Sequence, residues 1–188
     1  MKGIIDYLKS VPKLYYYLLG GGLAVGLIIS LSTAFMIHHT SDAEFCGSCH
    51  AMKPIKMAYD NDIHGGNNPF GFRAKCADCH LPHDGTLHYL WAKQMSGLHD
   101  TISAIFKDPS KIDWDKNRDR RAEFVYDSGC LSCHTRLTTS PQMADWKKEV
   151  HKRYFKYKDN NENFRCVNCH QHVGHKGIVE QTEKFYKK

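Results

Sequence analysis

From Leu14 to Ile37 the chain runs for 24 residues without a charged side chain (LYYYLLGGGLAVGLIISLSTAFMI), and nowhere else does apolarity accumulate in this way. At about 1.5 Å per residue, a helix of that length crosses a hydrocarbon layer of about 30 Å. The pattern predicts a leader over 1–13, one transmembrane helix over 14–37 and a polar region over 38–188. Within that region Met143, Trp146 and Val150 fall at helical spacing behind Ser140-Pro141, a capping residue followed by proline at a first helical position. The remainder reads as short helices joined by loops.

Lys2, Lys9 and Lys13 precede the apolar stretch against a single Asp6, whereas His38 to Glu44 hold two acids and no Lys or Arg. The positive-inside rule then sets the N-terminus in the cytoplasm. Ser32-Thr33-Ala34 would pass as a cleavage site, but a signal core is about 7–15 residues long, so a retained anchor is expected. Gly20, Gly21, Gly22 and Gly26 suit both a close helix pair, giving a homodimer, and a plain lipid-facing helix. Tyr15, Tyr16 and Tyr17 fit an interfacial aromatic belt.

Charge adds little. Lys plus Arg number 26 against 20 Asp plus Glu, a formal +6 in 188 residues, and the basic residues are scattered, so nucleic-acid binding has no support. Cysteine changes the picture. All eight fall in four C-x-x-C-H units: Cys46, Cys49 and His50; Cys76, Cys79 and His80; Cys130, Cys133 and His134; Cys166, Cys169 and His170. Two thiols three positions apart bond covalently to haem vinyl groups, and the following His sets its ring beneath the iron. Two Cys₄ zinc sites drawn from the same thiols are the alternative. That alternative leaves the four histidines unexplained, and four covalent haems are expected. With 151 residues beyond Ile37, each haem is served by about 38, too few for an apolar core of its own. The expected fold is therefore mainly α with extensive loops, haems forming the core.

Low-spin haems want a second strong ligand, and nine histidines remain for that role. His64 in DIHGGNN and His175 in CHQHVGHKG stand beside glycine, and His151 ends the Met143, Trp146, Val150 pattern. These three are the preferred candidates, with His83 and His172 in reserve; ordinary roles are expected for His38, His39, His88 and His99. The first unit continues as CGSCHAM, so Met52 is a candidate iron ligand or a packing residue.

An N-terminal anchor, four C-x-x-C-H units in about 150 residues and a first unit reading C-x-x-C-H-x-M resemble the NapC/NirT/NrfH family of membrane-anchored tetrahaem quinol dehydrogenases. The likeness includes RAKCADCHLPH around the second unit and HKG after the fourth. It implies oxidation of menaquinol or ubiquinol at the bacterial inner membrane, with the haem region periplasmic. Electrons would pass to a periplasmic reductase or a soluble multihaem cytochrome. It also implies Met52 as ligand to the first haem, and distal ligands at His64, His151 and His175; the HLPH form with His83 is closer to NapC. An Asp with a Lys seven residues earlier is associated with the quinol in NrfH relatives, and Lys93 and Asp100 in WAKQMSGLHDT have that separation.

Independently of the family, a quinol surrenders two protons with its two electrons, so its oxidation needs a base, and Asp100 can supply it. Lys93, on the same helix face, can hold the other oxygen or keep the carboxylate ionised. An electron relay without a quinol site of its own is the alternative. A terminal reductase needs an open haem pocket for which the chain looks too short. The mixed-charge run over 107–123 reads as a solvated connection leading into a short helix, and the tail VEQTEKFYKK as a helix or frayed end without functional content.

Overall fold

The computed structural model describes residues 10–158 and 164–187, mainly helical and without strands among them. The chain divides after Thr40 into two compact units. The first holds α1 (Lys13–His39), 27 residues long, with no side chain buried. Its length and apolarity fit a membrane anchor. Thr40 Oγ1 closes the helix by donating to the Met36 carbonyl at 2.7 Å. Lys2, Asp6 and Lys9, on which the charge asymmetry rests, lie outside the described residues.

The second unit strings short helices together: α2 (Ala43–Cys46), α3 (Lys53–Asp60), α4 (Cys76–His80), α5 (Thr86–Phe106), α6 (Trp114–Asp119), α7 (Asp127–Cys133), α8 (Asp145–Lys158), α9 (Cys166–Cys169) and α10 (Ile178–Tyr186). Three of the four C-x-x-C-H units are built on single helical turns. The residue before the second cysteine is a capping type each time: Ser48, Asp78, Ser132 and Asn168. Asp78 Oδ2 accepts from the Lys75 N–H at 2.8 Å and Asn168 Oδ1 from Arg165 N–H at 2.6 Å, each satisfying a donor that the helix start leaves orphaned. Ser48 and Ser132 instead donate to the carbonyls of Phe45 and Gly129, both at 2.7 Å. His134 and His170 cap their turns with nearly the same backbone angles, φ −88° and ψ 59° against −90° and 65°. The first unit departs from this: Cys46 ends α2, Cys49 is extended, and His50–Met52 forms a separate 3-10 turn.

Packing joins α10 to α3 and α6, and α4 to α7. Among the described residues the buried apolar side chains are five alanines (Ala43, Ala58, Ala74, Ala77 and Ala92), two prolines (Pro54 and Pro82), Tyr59, Leu81 and Val167. Alanine buries little area, and at about 25 cal/mol per Å² such a set contributes only a small part of what a polypeptide core supplies.

One expectation needs correction. The helix bearing His151 starts at Asp145 rather than at Pro141, because 141–143 form a turn. The 107–123 run holds a short helix as expected, α6, whose Trp114 ring stacks on Tyr186 with centroids 6.4 Å apart and planes 5° from parallel. The tail is likewise an ordered helix, and Tyr186 Oη donates to the Ala51 carbonyl at 2.9 Å, beside the first C-x-x-C-H unit.

Candidate functional site

Three of the four motif histidines face a second imidazole. His80 lies 6.0 Å from His175, His134 lies 6.2 Å from His64, and His170 lies 6.2 Å from His151, measured between ring centroids. Two imidazoles sharing one metal ion, with metal–nitrogen bonds of about 2.0 Å each plus the ring radii, stand about 6.3 Å apart. The pairs therefore fit an iron between them, each beside its two motif thiols. A Cys₄ zinc site fits poorly: among the described residues no group of three or more His, Cys, Asp or Glu side chains surrounds a point that a metal ion could fill.

The partners of the other ring nitrogen agree with this. His80 Nδ1 donates to the Phe124 carbonyl at 2.6 Å and His151 Nδ1 to the Lys147 carbonyl at 2.8 Å. Carbonyls only accept, so the proton sits on Nδ1 and the Nε2 lone pair is left for a metal. His64 Nδ1 makes the equivalent bond to Asp62 Oδ1 at 3.2 Å. Burial, together with His80 nearby, pushes His175 down to about 4, and burial also lowers His80 and His134. All three rings are thus held neutral at pH 7, the form that binds metal.

The remaining histidines are placed elsewhere. His83 turns Nε2 toward the Ala77 carbonyl at 3.4 Å and meets Tyr89 edge-on, facing no motif histidine. His88 bonds Asp84, His99 meets Asp100, His172 contacts Arg118 and His39 stacks on Phe35.

His50 has no second imidazole against it; its ring meets Phe185 at 5.2 Å and Tyr186 at 6.1 Å. Successive side chains of a 3-10 turn are about 120° apart, so His50 and Met52 point in different directions and only one can lie under a ring held by Cys46 and Cys49.

Lys93 and Asp100, both on α5, act electrostatically on the Cys46 thiol, and Asp100 acts also on His80. Lys93 Nζ donates to Ser41 Oγ at 2.9 Å, and burial lowers its pKa. Lys93 is thus held through Ser41 close to the first C-x-x-C-H unit, while Asp100, two turns further along α5, is exposed and meets His99. An open cleft of about 550 Å³ lined by Lys56, Asp60, Gly66, Asn67 and Arg73 borders His64 instead.

Asp127 escaped the sequence reading. Its carboxylate is 1% exposed and accepts from Tyr154 Oη, from Lys158 Nζ at 2.5 Å and from the Cys166 N–H at 2.9 Å. It thereby ties α7, α8 and α9 together. Burial alone would raise its pKa, but these donors outweigh burial and hold it below the usual carboxylate value. An acid three residues before a C-x-x-C-H unit was the available signal.

Four C-x-x-C-H units, three of them with a facing imidazole, define a multihaem c-type cytochrome. Residues 9–180 match the model of the NapC/NirT cytochrome c family, N-terminal region, and the chain belongs to that family. It is 33% identical over 165 residues to the tetraheme c-type cytochrome CymA of Shewanella oneidensis, covering 82% of this chain and 86% of that one. It is 32% identical over 149 residues to the cytochrome c-type protein TorY of Escherichia coli O157:H7, covering 74% of this chain but only 38% of TorY. The cytochrome c nitrite reductase subunit NrfH of Nitratidesulfovibrio vulgaris is 26% identical over 155 residues, covering 82% of this chain and 80% of NrfH. Among solved structures, the cytochrome c nitrite reductase NrfHA complex bound to the HQNO inhibitor has a chain of the same fold, with TM-score 0.54 and 24% identity over 87% of this chain and 96% of that chain.

Proposed function

We propose that this chain is a membrane-anchored tetrahaem cytochrome c that oxidises menaquinol or ubiquinol and delivers the electrons to a periplasmic reductase or a soluble multihaem cytochrome. Covalently held haem c at each C-x-x-C-H unit supplies one-electron iron chemistry. His64, His151 and His175 serve as the second ligands of the third, fourth and second haems, and Met52 or His50 serves the first. The N-terminus lies in the cytoplasm and 38–188 in the periplasm.

The observation that carries the quinol reading is Lys93 held to Ser41 near the first C-x-x-C-H unit, with Asp100 two turns further along the same face of α5. A quinol hydroxyl loses its proton as electrons leave, so the acceptor must be a base within hydrogen-bond reach. Asp100 is that base. Lys93, whose Nζ donates to Ser41 Oγ, is the cation on the same face that binds the second ring oxygen. NrfH, a subunit of a nitrite reductase, and NirT, a denitrification system component, support a reductase as electron acceptor.

The test is stopped-flow haem reduction after mixing the oxidised full chain in liposomes with a menaquinol analogue, alongside Asp100→Asn with its haem content verified. Reduction slowed at least tenfold in the variant supports the reading. Equal rates discard the role of Asp100, and no reduction of haem-loaded wild type by quinol favours the relay.

A further inference from the structure

α5 carries an apolar face that nothing in its own unit covers. Leu87, Trp91, Met95, Leu98, Ile102 and Ile105 recur every three or four residues, and all are exposed, from 46% at Met95 to 83% at Leu87. At 3.6 residues per turn they form one stripe, about 27 Å long. Lys93 and Asp100 are the only residues of α5 among Lys, Arg, Asp and Glu, and helical geometry puts both on the opposite side.

The position of α5 indicates the occupant. Lys93 Nζ donates to Ser41 Oγ at 2.9 Å, and the Tyr89 and Ser41 hydroxyls meet at 3.4 Å. Ser41 follows directly on Thr40, the cap of α1. α5 is thus tied to the residue at which the chain leaves its membrane-spanning helix. An uncharged stripe containing a tryptophan, held at that level, suits the headgroup–acyl boundary. Protein interfaces carry polar rims, and this stripe has no charged residue within it.

We propose that α5 is a second membrane contact, lying in the lipid interface with the Leu87–Ile105 stripe buried among acyl chains. Lys93 and Asp100 then sit on its far face, at the depth from which a lipid-borne molecule enters. The inference rests on α1 being the anchor, and it does not depend on quinol oxidation.

The test uses the haem-loaded full chain in phosphatidylethanolamine–phosphatidylglycerol vesicles containing a phospholipid with a mid-chain diazirine. After photolysis, adducts are mapped by mass spectrometry. The expected result is labelling of α1 and of Leu98, Ile102 and Ile105, at least tenfold above the polar helix α8. Labelling of α1 with α5 at the α8 level overturns the proposal, whether a second copy, a reductase or water covers the stripe. Absence of label on α1 overturns the anchor instead. Leu98→Glu combined with Ile102→Glu abolishes the α5 label in a haem-loaded variant; should that variant fail to load haem, the wild-type map decides alone.

Discussion

Gly129 and Asp78 meet backbone to backbone: a Cβ on Gly129 would stand 2.0 Å from the Asp78 carbonyl oxygen. This is a close backbone approach between α7 and α4, the helices of the third and second C-x-x-C-H units. Gly129→Ala must push them apart. Overpacking against backbone costs about 3 kcal/mol, which for a unit of this size lowers Tm by about 6–12 °C. Thermal unfolding and haem content per chain check this, and an unchanged Tm would show that α4 and α7 yield freely.

Replacing one member of a facing histidine pair frees an iron position. His64→Ala, His151→Ala and His175→Ala are each expected to turn one haem in four from low-spin to high-spin in the electron paramagnetic resonance spectrum. His83→Ala is expected to leave the spectrum unchanged, because its Nε2 is directed at the Ala77 carbonyl. A high-spin signal in His83→Ala, or none in the other three, would contradict the pairing.

Asp127→Ala strands Lys158, Tyr154 and the Cys166 N–H without their acceptor. The expected loss is about 3 kcal/mol, measured by guanidinium unfolding. The folded pKa of Asp127 lies below its usual value of 3.8. Its stabilisation is therefore complete above that value and is lost as pH falls through the lower folded value. Wild type and Asp127→Asn should differ at pH 7 and converge as pH falls below the lowered folded value; a gap independent of pH would refute the ionised form.

Lys93→Gln removes a cation from the Cys46 side of α5. kcat/KM for a menaquinol analogue should fall about tenfold, equivalent to about 1.4 kcal/mol, while reduction by dithionite stays unchanged. Parallel loss of both rates would assign Lys93 a purely structural role through Ser41.

Sequence alone was sufficient for the anchor, the four C-x-x-C-H units and the helical class, because each is a local property. An uncharged run and two thiols with a following imidazole are each read from one continuous stretch of chain. The small count of residues per haem also anticipated how little apolar polypeptide is buried. Residue context favoured His64, His151 and His175 among nine spare histidines, but it could not choose which motif histidine each one faces, since neighbouring glycines permit a close approach without specifying the partner.

Only the tertiary structure decided those choices. His175 meets His80 across 95 residues of chain and His64 meets His134 across 70, through packing of α10, α3, α4 and α7. It also drew Asp127 inside, brought Phe185 and Tyr186 of the tail against His50, and turned one face of α5 outward. Residue type and spacing fix which chemistry a segment can perform. Which segments share a site depends on long-range contacts between short helices, and no local pattern in the chain encodes them.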